Sequence, residues 1–395
     1  MPAVEARQRV SEIFLVAAEA SGDRLGASLM AALKRKDPSL LFRGVGGDAM
    51  AGEGLASLYP MTDLSVFGFA DVIKSVSRLR ARIRETVEAV VARPPAALIL
   101  IDSFGLSFRI AKRVRKRLPQ LPIIKYVAPQ VWVWRQYRAA AMKPYFDHTL
   151  ALFPFEPEVH RKLGGPPCTY IGHPILEELP HLRPDKDEAG RRNQQPPIVV
   201  VMPGSRRSEL RDLMTTFGDV IARIQAQLGG IEVRLPTLPH LKLLVEEAAA
   251  GWSIKPEILS SEAEKFAAMR VAHVAIAASG TATLELGLAG VPHVGAYRIR
   301  WWEAAIARRL VQVKMALLPN ILLNERVVPE LLQEDCTAPK ITDAVLPLFG
   351  AGPERQRQID AFSRIDGILA TPEPPSDRAA AVVLQIMADS DAKMR

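Results

Sequence analysis

Ala97-Leu-Ile-Leu-Ile-Asp102 is the clearest strand signal in the first half of the chain, with five apolar residues followed by an acid. A continuous apolar run, rather than an alternating one, is typical of a strand buried on both faces of a parallel sheet. Similar runs, separated by helical patterns, lie at 13–19, 41–45, 123–127, 148–153 and 168–171. Repeated strand–helix units predict an α/β domain with helices on both faces of its sheet.

The same rhythm begins again in the second half of the chain. Apolar runs at 198–202, 232–235, 274–277 and 293–297 predict a second parallel sheet, and the residues from 325 onward indicate helices only. The stretch between the halves is polar and proline-rich, as linkers are. We predict an N-terminal domain at 1–180, a linker at 181–196, a C-terminal domain at 197–350 and C-terminal helices at 351–395. Two Rossmann-like domains would face a cleft, with ligands at the carboxyl ends of the strands.

The composition restricts the class of protein. The chain has 395 residues, 48% hydrophobic and 24% charged, which is typical of a globular protein with two or three domains. No apolar run approaches the roughly 18 residues of a membrane span. The N-terminus lacks the apolar region of a signal peptide, so we expect a cytoplasmic protein. Two cysteines and seven scattered histidines indicate no disulfide framework and no metal site. We also expect no cofactor.

The formal net charge of +8 is unevenly distributed. Between Ser107 and Lys143 there are ten basic residues and no acidic ones, and further basic stretches lie at 78–84 and 297–314. The last stretch contains Trp301 and Trp302, and basic charge beside tryptophan is typical of contact with an anionic membrane surface. A solvated helix face with core tryptophans is the alternative. No nucleic-acid-binding motif accompanies these stretches, so we do not expect nucleic acid as a partner.

Two acidic segments end predicted strands of the first half. Glu19-Ala-Ser21-Gly22-Asp23 stands where a dinucleotide enzyme would have its glycine fingerprint. Such a turn would repel a pyrophosphate but suits hydrogen bonds to sugar hydroxyls, although Ser21 or Asp23 could instead cap the next helix. Asp102 follows its buried strand and could be a general base or, equally, a helix cap.

Pro129-Gln-Val-Trp132-Val-Trp134-Arg135 follows the strand at 123–127. Its two tryptophans could line an apolar wall or belong to the core. Arg135 and the nearby Arg138 favour a wall that meets an anionic amphiphile.

Two turns of the second half predict phosphate sites. Pro203-Gly204-Ser205-Arg206 follows the strand at 198–202, where glycine permits close approach of the backbone and arginine adds a forked cation at a helix N-terminus. Ser279-Gly280-Thr281 precedes a helix in the same way after the strand at 274–277. A surface arginine in a tight turn is the alternative for Arg206.

Glu285 lies one helical turn after Thr281, on the same face. A carboxylate there is placed to accept the hydroxyls of a ribose, unless it is simply an exposed helix acid. Asn320 interrupts an apolar stretch and could reach the same ligand. Two phosphate sites with an acid for ribose indicate a nucleotide diphosphate sugar.

Taken in order, these motifs resemble the lipid-A-disaccharide synthases. The matching segments are AEASGD (18–23), GVGG (44–47), 50–73, PQVWVWR (129–135), FPFEP (153–157), YIGHP (170–174), MPGSR (202–206), ASGTATLEL (278–286) and LLPNILLNERVVPELLQE (317–334). The resemblance extends from about Ile13 to Phe349. It implies a GT-B fold and an inverting, metal-free glycosyltransferase on the inner face of the cytoplasmic membrane. That family joins UDP-2,3-diacylglucosamine to 2,3-diacylglucosamine 1-phosphate (lipid X), releasing UDP and forming a β-1,6 disaccharide.

The resemblance also implies roles for single residues. Asp102 matches the family's general base, and Arg206 a position associated with the phosphates. Nucleotide binding is implied for Gly204, Ser205, Arg206, Ser279, Gly280, Thr281, Glu285 and Asn320, and acceptor binding for Glu19, Ser21, Gly22, Asp23, Trp132 and Arg135.

The departures from the family pattern cluster on the acceptor side. Ala18 replaces a glycine, the second acid after Asp102 is absent, and Lys125 and Gln130 stand where histidine and serine are common. There are three alternative hypotheses: another GT-B UDP-hexosamine transferase, a UDP-sugar epimerase, and a lipid-binding paralogue that has lost catalysis.

Overall fold

A computed structural model describes residues 11–64, 72–299 and 315–394. The chain divides into two compact units. The first unit comprises Met1–Leu176 and Thr371–Arg395, and the second comprises Glu177–Ala370. The basic stretch at 297–314, with Trp301 and Trp302, lies almost entirely outside the described residues.

The first unit has a parallel sheet of seven strands among its described residues. The strands are β1 Glu12–Val16, β2 Leu41–Val45, β3 Ala56–Ser57, β4 Ala97–Ile101, β5 Ile123–Tyr126, β6 His148–Ala151 and β7 Cys168–Tyr170, in the order β3-β2-β1-β4-β5-β6-β7. The helices are α1 Ala20–Lys36, α2 Asp48–Gly52, α3 Val72–Ala92, α4 Phe104–Arg117, α5 Tyr137–Met142 and α6 Glu156–Lys162. Short 3₁₀ turns lie at Met61–Leu64 and Pro174–Leu176.

Successive residues of the central strands enter two different cores, because side chains alternate across a strand. Ile13 and Leu15 pack with α1 on one face of the sheet. Phe14 and Val16 pack with α3 and α4 on the other. Both faces are therefore covered, which explains why β4 is apolar along its whole length.

The second unit has a parallel sheet of six strands among its described residues. They are β8 Ile198–Met202, β9 Glu232–Pro236, β10 Glu257–Leu259, β11 Val274–Ala277, β12 His293–Tyr297 and β13 Glu330–Leu332, in the order β10-β9-β8-β11-β12-β13. The helices are α7 Leu179–Leu182, α8 Lys186–Arg191, α9 Arg207–Leu228, α10 Lys242–Ala249, α11 Glu262–Val271, α12 Thr281–Leu288, α13 Leu318–Leu323, α14 Ala338–Val345 and α15 Pro353–Leu369. Short 3₁₀ turns lie at Pro239–Leu241, Gln333–Asp335 and Leu346–Leu348.

The predicted fold class is confirmed, since both units are parallel sheets with the expected strands. The expectation that only helices follow Glu325 is wrong, because β13 pairs with β12 at the edge of the second sheet. This three-residue strand is half-buried, and β3 and β10 are as short. Strands of this length carry too few apolar residues for a periodicity signal.

The predicted linker at 181–196 is folded as part of the second unit. A capping box formed by Asp185 and Glu188 begins α8 there. Glu188 also pairs with Arg270 at 2.8 Å. Arg192 donates to four backbone carbonyls at 2.8–3.1 Å, among them those of Arg270 and Gly290. The polar composition of this segment therefore reflects its contacts with helix ends rather than mobility.

The predicted C-terminal segment at 351–395 is divided between the units. The helix α15 belongs to the second unit, whereas α16 Pro375–Met394 belongs to the first. Ala380 and Val383 of α16 enter the core beside α1, and Asp377 pairs with Arg35 at 2.7 Å. The apolar face of α16 thus completes the first unit. Within the described residues, no helix has both the length and the apolar character needed to cross a membrane.

Candidate active site

The candidate residues form two groups, one at the carboxyl edge of each sheet. In the first unit β1, β4 and β5 are neighbours, so the segments after Val16, Ile101 and Tyr126 leave the sheet side by side. In the second unit β8 and β11 are neighbours, so the turns after Met202 and Ala277 do the same.

Asp102 lies directly after β4 with a left-handed backbone, φ 57°. Its Oδ1 accepts a hydrogen bond from the backbone N–H of Ser103. Its Oδ2 is buried and has no hydrogen-bond partner among the described residues. A Cβ built on Gly22 would lie 3.4 Å from this oxygen, which brings the first turn of α1 against Asp102. The residue before α4 is Ser103, so Asp102 is not the N-cap of that helix.

Lys125, a residue of β5, lies beside Asp102, and 1% of its surface is exposed. Its Nζ donates to the carbonyls of Leu100 at 3.3 Å and Tyr126 at 3.1 Å, and to that of Asp102. Burial lowers the pKa of Lys125 to about 7, and the charge of Asp102 opposes this shift. Lys125 therefore ties the ends of β4 and β5 together. The sequence signal for this role was a lone lysine within an apolar strand.

The residues from Glu19 to Asp23 have unequal exposure. Glu19 and Ser21 are exposed, while Gly22 and Asp23 are buried. The carboxylate of Asp23 accepts the N–H groups of Gly47 at 2.7 Å, Ala49 at 3.0 Å and Met50 at 3.1 Å. Asp23 thus caps α2, and the prediction that it contacts a ligand is wrong for this geometry.

Trp132 is also interior, with 8% of its surface exposed. Its Nε1 donates to Oε1 of Glu156 at 3.1 Å, and its ring meets Phe155 edge-on at 5.2 Å between centroids. Burial raises the pKa of Glu156 to about 7. The prediction that Trp132 lines a ligand wall is therefore corrected to a core position. Arg135, by contrast, is exposed and lies over the ring of Trp134, 4.1 Å from its centroid.

The turn after β8 holds a carboxylate of its own. Oε2 of Glu209, from the first turn of α9, accepts the backbone N–H groups of Ser205 at 2.8 Å and Arg206 at 3.2 Å. Any Cβ at Gly204 would collide with that oxygen. The predicted close approach of the Gly204 backbone is therefore to Glu209. Arg206 pairs with Oε1 of Glu209 at 3.0 Å, yet 73% of its side chain is exposed.

The turn after β11 leads into α12. Gly280, with φ 147°, precedes the helix, and Thr281 is exposed at its first position. A positive φ of this size favours glycine. The hydroxyl of Ser279 donates to the carbonyl of Ala316 at 3.0 Å. The N-terminus of α12 therefore faces solvent beside the segment that begins α13.

Glu285 forms an ion pair with Lys265 of α11. Nζ of Lys265 lies 2.9 Å and 3.0 Å from the two carboxylate oxygens. Both side chains are mostly buried, with 19% and 16% exposed. Sequence reasoning missed Lys265, because nothing in the spacing links position 265 with position 285.

Asn320 is fully buried and all of its hydrogen-bonding capacity is used. Its Nδ2 donates to the carbonyl of Val328 and to Glu330, and its Oδ1 accepts the N–H groups of Val327 and Val328, all at 2.8–3.0 Å. A saturated amide has no hydrogen bond left for a ligand. The predicted direct contact is therefore wrong in this geometry, and Asn320 instead fixes the segment after α13.

The fold defines the class of protein first. MurG from Acinetobacter baumannii has a TM-score of 0.54 and 12% identity, covering 96% of this chain and 99% of that chain. The UDP-GlcNAc 2-epimerase from Neisseria meningitidis bound to UDP-GlcNAc has a TM-score of 0.61 and 9% identity, with the same coverage. These likenesses show the fold of the chain, two Rossmann-like parallel-sheet units of the GT-B type.

The family follows from closer relatives. A model of the lipid-A-disaccharide synthetase family matches residues 13–380. The lipid-A-disaccharide synthase of Nitrobacter winogradskyi is 50% identical over 385 residues, which is 97% of this chain and 97% of that protein. This chain belongs to the lipid-A-disaccharide synthetase family.

Proposed function

We propose that this protein joins UDP-2,3-diacylglucosamine to 2,3-diacylglucosamine 1-phosphate, releasing UDP and forming the β-1,6-linked disaccharide of lipid A. The observation that carries the proposal is Oδ2 of Asp102, a buried carboxylate oxygen without a hydrogen-bond partner among the described residues. Buried polar atoms are nearly always paired, so one left unpaired at the edge of a sheet points to a substrate partner. Membership of the family supplies the reaction.

Asp102 is the proposed general base. The 6-hydroxyl of the acceptor attacks C1 of the donor sugar on the face opposite UDP, and Oδ2 takes its proton. The new bond from C1 to oxygen forms as the bond from C1 to the β-phosphate oxygen breaks, and the electron pair leaves with UDP. Attack from the opposite face inverts the configuration at C1. Lys125 holds the backbone of Asp102 in place, because its Nζ donates a hydrogen bond to the Asp102 carbonyl.

The second unit is the proposed site for UDP. The exposed N-terminus of α12, with Ser279, Gly280 and Thr281, suits a phosphate, because free N–H groups and the helix dipole favour an anion there. Glu285 would accept the ribose hydroxyls, held in place by Lys265. The exposed guanidinium of Arg206 would neutralise the charge that grows on the departing UDP.

We further propose that the protein acts at the inner face of the cytoplasmic membrane. The exposed basic residues of α4 and the exposed rings of Trp134 and Tyr137 support contact with an anionic lipid surface. Flotation with anionic and neutral vesicles tests this, since equal binding to both would contradict it.

The decisive experiment mixes the purified protein with both substrates and measures UDP and disaccharide. Equal amounts of the two products support the proposal. UDP released without disaccharide indicates hydrolysis or a different acceptor, and conversion of the donor without UDP release indicates an epimerase. UDP binding without turnover indicates a lapsed lipid-binding protein. The control is Asp102→Asn, which should bind UDP and form no disaccharide above about 1% of the wild-type rate.

A further inference from the structure

An aromatic platform lies directly beside the Asp102 segment. Phe104, the first residue of α4, stacks on Phe108 with 5.5 Å between ring centroids. Phe108 in turn meets Tyr145 edge-on at 5.4 Å. All three rings pack against the core beneath α3 and α4, so the platform has a fixed position relative to Asp102.

Two guanidinium groups are stacked on this platform and on the neighbouring indole. Arg138 lies over Phe104 at 4.5 Å and is 5.5 Å from the ring centroid of Trp134. Arg135 lies over Trp134 at 4.1 Å. Stacking orders both side chains through their flat faces and leaves their N–H edges for a ligand.

Neither arginine has a carboxylate partner among the described residues. Other arginines of the same region do, since Arg115 pairs with Asp147 and Arg117 with Glu88, both at 2.5 Å. The sequence itself has no acid between Ser107 and Lys143. Two ordered and uncompensated guanidinium groups form an anion site, and their forked N–H groups match the oxygens of a phosphate monoester.

We propose that Arg135 and Arg138 bind the phosphate monoester of the sugar-lipid acceptor. This inference rests on the proposed function, in which the acceptor is a 1-phosphate. C1, which carries the phosphate, and C5, which carries the attacking hydroxymethyl group, are both bonded to the ring oxygen of the acceptor sugar. The acceptor therefore needs a cation site that is close to the base but does not contact it. Arg138, stacked on a ring two residues after Asp102, satisfies that requirement.

The test compares an acceptor carrying the 1-phosphate with the same acceptor lacking it, both with short acyl chains that keep them monomeric. Arg138→Met removes the guanidinium and its charge but keeps an unbranched apolar side chain beside Phe104. We expect kcat/KM for the phosphorylated acceptor to fall at least tenfold through KM, and that for the dephosphorylated acceptor to stay within twofold. Arg135→Met should act in the same direction, and Arg138→Lys should lose less.

Arg109→Met is the matched control, because Arg109 is an exposed arginine of α4, the helix that carries Phe104, and should leave the selectivity for phosphate unchanged. An unchanged selectivity in Arg138→Met overturns the inference. The inference is also overturned if Arg138→Met loses binding to phosphatidylglycerol vesicles while its KM for the short-chain acceptor is unchanged. The arginines would then bind lipid headgroups.

Calorimetric binding of the two acceptors tests the inference without turnover. The wild-type protein should bind the phosphorylated acceptor at least tenfold more tightly, and Arg138→Met should not. If the wild-type protein binds with this preference but forms no disaccharide, the proposed reaction fails and the phosphate site stands. If it forms disaccharide without this preference, the reaction stands and the phosphate site fails.

Discussion

The polar edges of the two sheets differ in how far their functional groups are already paired within the chain. In the first unit, Oδ2 of Asp102 has no hydrogen-bond partner, and Arg135 and Arg138 have no carboxylate partner, among the described residues. In the second unit, Arg206 pairs with Glu209 and Glu285 pairs with Lys265. An unpaired group gains the whole of a new interaction, whereas a paired group gains only the difference between two partners.

This contrast predicts a ranking of effects. Substitutions at the carboxyl edge of the first sheet, where Asp102, Arg135 and Arg138 lie, should change turnover strongly. Substitutions among the paired groups of the second unit should have smaller effects, on kcat at Arg206 and on UDP affinity at Glu285 and Lys265. Single substitutions at the two sites can test that ranking.

Asp102→Asn should lower kcat at least a hundredfold and leave UDP affinity unchanged, because removing a general base costs about 10²–10⁴-fold in rate. Asparagine tolerates the left-handed backbone of this position, so the variant should fold. Steady-state kinetics and calorimetric UDP binding measure the two quantities. A fully active variant would transfer the base role to Glu19.

Asp23→Asn is the matched control from the same edge. Its carboxylate accepts three backbone N–H groups, and the amide offers a single oxygen. We expect the variant to lose about 1–3 kcal/mol of unfolding free energy and to keep the turnover of each folded molecule. A turnover loss equal to that of Asp102→Asn would contradict the capping role.

The burial of Lys125, beside Asp102 in the first unit, can be tested through the pH dependence of the free energy of unfolding. Its folded-state pKa of about 7 lies below the ordinary value of 10.5, so the unfolded chain binds the proton more tightly. The free energy of unfolding should therefore rise with pH above 7, by about 1.5 kcal/mol up to roughly pH 8.5, relative to Lys125→Met. Below pH 7 the two curves should run parallel. Parallel curves across the whole range would contradict the burial of a titrating lysine.

The contrast between the edges also marks what the sequence could predict. The strands and the segments that follow them were predictable, because buried apolar runs such as 97–101 have a direct physical signature. The partners of the polar residues were not. Nothing along the chain pairs Asp23 with the N-terminus of α2, Glu209 with the backbone of Ser205, or Lys265 with Glu285. Such pairs arise only when distant elements meet in the fold.

Three errors have the same origin. Asn320 and Trp132 carry residue types suited to ligands, yet tertiary packing buries them and uses their hydrogen bonds. The segment at 181–196 is polar because it caps helix ends. In each case composition described the chemistry of the residues correctly, while only the fold could identify their partners.

Arg206→Ala should lower kcat about tenfold, which corresponds to about 1.4 kcal/mol of transition-state stabilisation. The effect should be smaller than that of Asp102→Asn, because Arg206 divides its charge between Glu209 and the departing UDP. Arg207→Ala, at the next exposed position of α9, is the control and should stay within twofold. A value for Arg206→Ala within threefold of wild type would remove Arg206 from the site.

The smallest effects are expected at the Glu285–Lys265 pair. Glu285→Gln should weaken UDP binding about fivefold, or about 1 kcal/mol, the usual size of one lost hydrogen bond. The same variant should lose less affinity for 2′-deoxy-UDP.

Lys265→Met has two opposing consequences, since it removes a competing partner of Glu285 and also the group that orients Glu285. Nζ lies within hydrogen-bond distance of both oxygens, and each oxygen keeps a second lone pair for a ribose hydroxyl. Competition is therefore weak and the loss of orientation should dominate, which predicts UDP binding about threefold weaker in Lys265→Met. Calorimetry with UDP and 2′-deoxy-UDP measures both effects. An equal loss of affinity for the two ligands in Glu285→Gln would place Glu285 away from the ribose. Tighter UDP binding in Lys265→Met would mean that the ion pair with Lys265 weakens nucleotide binding by Glu285.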